Sequence, residues 1–158
     1  FRTADPQRLL EHLADEGLLD GEGPLLLLLR GWGAEQRLAG WCELRPELTA
    51  PDEAHLRGDG SPYDQVCAGL WHAGLAKEDR WATSGPARTT AVLVVRRTGR
   101  VVFGPDEDDW LDGLRYGTNH SGTDFADCYL VTEHGWDAFM GGRYGEHGVT
   151  PARQSGLP

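Results

Sequence analysis

Isoleucine is absent from this chain of 158 residues, and lysine and methionine occur once each, at Lys77 and Met140. Missing isoleucine and the near-total use of Arg for positive charge read as the coding bias of a G+C-rich bacterial genome. That bias removes any argument built on Arg being chosen over Lys. Cysteine is scarce as well. Cys42, Cys67 and Cys128 lie far apart, form no CxxC pair and are odd in number, so the expectation is reduced, buried thiols in a cytoplasmic protein. Apolar runs are short. The longest, Leu25 to Leu29 among them, have five residues, well below the roughly 18 of a membrane span. The opening residues, FRTADPQRLLEHLADEG, lack the pattern of a signal peptide.

Positive charge is in deficit. Fifteen basic residues against 25 acidic ones leave a net charge of −10. A surface of that sign repels phosphate backbones and anionic lipids, so neither general nucleic-acid binding nor a membrane partner is expected, and a basic protein partner is. The six histidines form no HxH or HExxH pattern, and no glycine-rich loop opens a helix as a phosphate cradle. No metal and no cofactor are therefore expected.

What is present suffices for one domain. The length is that of a single domain, with 39% apolar residues. Residues 1–140 read as that domain. Residues 141–158, with five glycines and two prolines, read as a C-terminal arm or tail. Asp5-Pro6 and Ser61-Pro62 each place a capping side chain before a proline at the first helical position. Leu9, Leu10 and Leu13 follow the first cap. Tyr63, Val66, Cys67, Leu70 and Trp71 follow the second with helical spacing. Pro24 to Arg30 reads as a strand buried on both faces, and Leu38 to Leu44 as its hairpin partner.

Thr89 to Tyr116 reads as strand, tight turn, strand and helix. Ala91 to Val95 and Val101 to Phe103 would form a central hairpin turning at Thr98-Gly99. Gly104-Pro105-Asp106 starts a helix whose acidic run, Asp106 to Asp109, complements the helix dipole better than it suits a metal. A polar loop is predicted over Gly117 to Thr123, a strand over Ala126 to Thr132, and a helical turn over Trp136 to Met140. The sum is an α+β fold: a mostly antiparallel sheet of about five strands packed with three helices.

Three groups of residues are candidate sites. In the stretch Tyr116 to Asp124, Asn119, His120, Ser121 and Asp124 bring a base, a hydroxyl and a carboxylate into nine residues, the types that acid–base or nucleophilic chemistry uses. Arg96, Arg97 and Arg100 crowd the predicted hairpin tip and suit an anion or an acidic partner. Trp32 and Trp81, beside glycine-rich or polar segments, suit a partner or small-ligand contact. No stretch matches a catalytic motif. The leading expectation is an acidic binding module, regulatory or inhibitory in the manner of an immunity protein or antitoxin, that docks a basic protein partner. The alternative is a small hydrolase or transferase with its active site on residues 116–124. A small-molecule ligand held by the tryptophans is the third reading.

Overall fold

A computed structural model describes residues 5–51 and 56–140 of the chain. The expected arm, 141–158, lies outside the described residues. Among the described residues the fold is α+β, with three α-helices and a five-stranded, mostly antiparallel sheet. The helices are α1 (Pro6–Asp15), α2 (Pro62–His72) and α3 (Pro105–Ser121). The strands are β1 (Gly23–Arg30), β2 (Arg37–Glu43), β3 (Thr89–Arg96), β4 (Asp124–Thr132) and β5 (Gly135–Ala138), in spatial order β2-β1-β3-β4-β5.

Alternation along the central strands divides the core into two layers. Leu26 and Leu28 of β1, Leu93 of β3, and Cys128 and Leu130 of β4 face α2 and α3. Leu25, Leu27, Leu29, Val92, Val94 and Tyr129 face Leu9, Leu10 and Leu13 of α1. The five leucines of β1 thus read as a strand covered on both sides, and every residue of β3 is buried. The helix starts follow the sequence. Asp5 Oδ1 accepts from the Arg8 N–H at 3.4 Å and Ser61 Oγ from the Asp64 N–H at 3.3 Å. At α3 the Glu107 carboxylate reaches back to the Gly104 N–H at 2.7 Å.

Three expectations are corrected. Val101 to Phe103 is not a strand, and β3 forms no hairpin with it. Both edges of β3 are taken, by β1 antiparallel and by β4 parallel. The connection instead folds around Arg97, whose guanidinium donates to the carbonyls of Thr98, Arg100 and Val102. The predicted loop over Gly117 to Thr123 is mostly helix: α3 runs on to Ser121 and ends at Gly122, whose φ of 68° is the left-handed cap that glycine favours. Gly117 does not stop the helix because it is a packing surface, as described below. Finally, Trp136 to Met140 is no helical turn. Gly135–Ala138 returns along β4 as the edge strand β5, and the Trp136 indole N–H donates to Gln7 Oε1 of α1 at 3.1 Å.

Candidate functional site

Two glycines bring α2 and α3 together. A Cβ on Gly113 would lie 2.7 Å from both the carbonyl carbon and Cβ of Pro62, and one on Gly117 would lie 2.8 Å from Val66 Cγ1. Any side chain at these positions would hold the helices apart, so backbone meets helix directly. Beside this crossing an open cleft of about 480 Å³ runs between the start of α2 and the outer face of α3. Its α3 wall is Asp109, Asp112, Gly113, Tyr116, Asn119 and His120, and its α2 wall is Ser61, Pro62 and Tyr63. Positions 109, 112, 113, 116 and 120 recur at helical spacing, so one face of α3 carries two carboxylates and two rings.

Tyr63 lines the cleft from α2 and touches both of its sides. Its ring meets His120 edge-on, with centroids 6.2 Å apart, and the Arg57 guanidinium lies 5.3 Å from its centroid. Burial pushes the Tyr63 phenol up to about 12, helped by neighbouring Cys67, so its proton stays on at physiological pH. The loop before α2 is anchored by Asp64, which is buried and accepts from the N–H groups of Arg57, Gly58 and Asp59 at 2.9, 2.6 and 3.2 Å. This anchor places Arg57 at the cleft.

The sequence candidates separate in space. Asn119 and His120 line the α2–α3 cleft, whereas Ser121 and Asp124 do not. Ser121 is 1% exposed, and its hydroxyl has no hydrogen-bond partner among the described residues. Asp124 opens β4 and pairs with Arg88 at 3.3 Å. The reason is geometric: each further residue of a helix turns about 100°, which carries Ser121 off the cleft face, and Asp124 lies beyond the helix, on β4.

The three arginines separate too. Arg96 is buried, with its guanidinium on the carbonyls of Gly23, Leu18 and Glu22 and on Glu43 at 2.7–3.2 Å. It joins the segment between α1 and β1 to the centre of the sheet. Arg97 is spent on the loop carbonyls and on Glu107, 2.5 Å away. Burial raises the Glu107 carboxyl, but the hydrogen bonds from Arg97 and Gly104 and the guanidinium charge outweigh it and hold the group below the ordinary range. Arg100 remains exposed.

Trp32 and Trp81 are both exposed, at 60% and 70%. Trp81 has a positive φ of 65°, its N–H donates to the Gly122 carbonyl, and its indole covers Gly122 so closely that a Cβ there would lie 2.6 Å from Cε2. It seals the end of α3. Trp32 walls a second cleft, of about 470 Å³, with Arg30, Gly31, Glu35, Arg37, Gly85 and Pro86. Arg88 stacks on its ring at 4.2 Å from the centroid.

The cysteines are buried thiols, and burial pushes those of Cys42 and Cys128 above the ordinary value. Among the described residues no three His, Cys, Asp or Glu side chains converge on a metal position, and no helix is long and apolar enough to cross a membrane.

Sequence reasoning missed Tyr63, Tyr116, Asp109 and Asp112 as one site. The signal was the helical spacing from Asp109 to His120, hidden by placing the end of the helix at Tyr116. No family model matches this chain, and no curated protein and no solved structure matches it either.

Proposed function

We propose that this protein is a regulatory or inhibitory binding module that docks a basic protein partner, and that the α2–α3 cleft receives an arginine or lysine side chain of that partner. The observation that carries this reading is the cleft itself: Asp109 and Asp112 beside the rings of Tyr63, Tyr116 and His120, on a chain of net charge −10. Carboxylates attract a cation and ring faces stack with it, and a guanidinium uses both. Arg57 already rests near Tyr63 in this manner, which supports the chemistry. Both Asp109 and Asp112 are solvent-exposed, so each ion pair contributes about 0.2–1 kcal/mol and a stacked cation about 0.5–1 kcal/mol. The cleft alone would hold a single side chain weakly. Affinity would come from the surrounding surface, with the acidic field speeding encounter.

The test is a titration of a short arginine-containing peptide amide, followed by NMR at low and high salt. Perturbations confined to Tyr63, Tyr116 and His120, weakened by salt and by the Asp109→Asn/Asp112→Asn pair, are the expected result. A peptide that perturbs other surfaces equally, or binding that ignores the double substitution, refutes the reading.

A further inference from the structure

We infer that the second cleft, where β1 passes into β2, is a binding site for a small monocarboxylate carried on a flat ring. It lies apart from the α2–α3 cleft and does not depend on the reading given above. The β1–β2 register sets Arg30 directly opposite Arg37. Two like charges so placed repel each other, and an anion between them relieves the repulsion. Both side chains line the 470 Å³ cleft. Their donors are not used up, in contrast to those of Arg96 and Arg97. Arg30 gives one nitrogen, Nη2, to Asp79 at 2.5 Å, and its Nε is buried without a partner among the described residues. Arg37 is exposed and makes no ion pair among the described residues.

Around these donors stand flat, apolar walls. Trp32 keeps most of its indole in solvent, and Arg88, itself fixed by Asp124, steadies the ring from one side. Pro86 adds apolar surface to the lining. A planar body packs against such walls, and a carboxylate takes the guanidinium donors in paired fashion. The neighbouring carboxylates limit the charge of the anion. Arg30 pairs with Asp79, and Glu35 also lines the cleft. The two guanidinium charges are matched by Asp79 and Glu35, so it is the unused donors rather than excess charge that would hold an anion. A monoanion meets less repulsion from Glu35 than a dianion does. The cleft is of the size that holds small molecules, within the usual ~300–1,000 Å³.

The test uses three probes of one shape, benzoate, benzamide and phenyl phosphate, titrated against the full chain with backbone-amide NMR. Benzoate is expected to shift the amides of Trp32 and Arg37 saturably, with benzamide weaker by about tenfold or more, as loss of a charge-assisted hydrogen bond implies. Arg37→Gln should cost about tenfold in benzoate affinity, and Trp32→Phe, which keeps a ring, should cost less than Trp32→Leu. Both residues are exposed, so these variants retain the fold. Asp109→Asn should leave benzoate binding unchanged, which separates this site from the α2–α3 cleft. Equal binding of benzamide and benzoate, indifference to Arg37→Gln, tighter binding of phenyl phosphate, or no saturable shift at Trp32 each overturns the assignment.

Discussion

Replacing Gly113 with alanine tests how closely α2 and α3 are joined. Two effects oppose each other. Within a helix, alanine is favoured over glycine by about 1 kcal/mol. Against this, the added Cβ would sit 2.7 Å from the carbonyl carbon and Cβ of Pro62 and 3.0 Å from the Tyr63 nitrogen. Carbon atoms attract best at ~3.5–4.0 Å, so the overlap is severe. The atoms met are mostly backbone, in the first turn of α2, where the proline ring fixes φ. No rotamer change removes the clash, and the helices must move. Overpacking of this kind costs ~1–3 kcal/mol, and the rigid neighbour puts it toward the upper end. The net expectation is a loss of about 1–2 kcal/mol. At ~2–4 °C per kcal/mol for a chain of this length, Tm should fall by about 2–8 °C. Calorimetry measures it. The same displacement moves Tyr63, so the arginine peptide should bind less well. A rise in Tm, as helix propensity alone requires, would refute the close approach and with it the geometry of the cleft.

Two further outcomes follow from named contacts. Asp64→Ala removes the acceptor of three N–H groups. These lie in an exposed loop and can rehydrate, so the loss should be about 2–4 kcal/mol rather than the full sum; an unchanged urea midpoint would show that the loop is not held this way. Glu107 has a folded pKa below its unfolded one, so its stabilisation is fully present above the ordinary carboxylate range and is lost as the pH falls through the depressed value. Glu107→Gln should flatten that acid limb of stability against pH, and an identical limb in the variant would count against the Arg97–Glu107 pair as its source.

Local signals determined much of this fold. Asp5-Pro6, Ser61-Pro62 and Gly104-Pro105 started all three helices where the residues said, because capping and a preset φ act within one turn. The leucines of β1 and the Val-rich run of β3 marked strands covered on both faces, since burial leaves its imprint on composition. What only the tertiary structure decided was partnership. Periodicity reports that β3 is buried, but not that its edges go to β1 and β4 rather than to the residues after it. It also cannot tell a glycine that ends a helix from one that another helix packs against. Gly117 looked like the first kind and is the second, with Val66 pressed on it, while Gly122 ends α3. That single distinction turned Asn119 and His120 from loop residues beside Ser121 and Asp124 into the wall of a cleft with Asp109, Asp112, Tyr116 and Tyr63. The site depends on contacts between segments some fifty residues apart, such as Cys67 with Gly117, and a window of ten residues contains no trace of them.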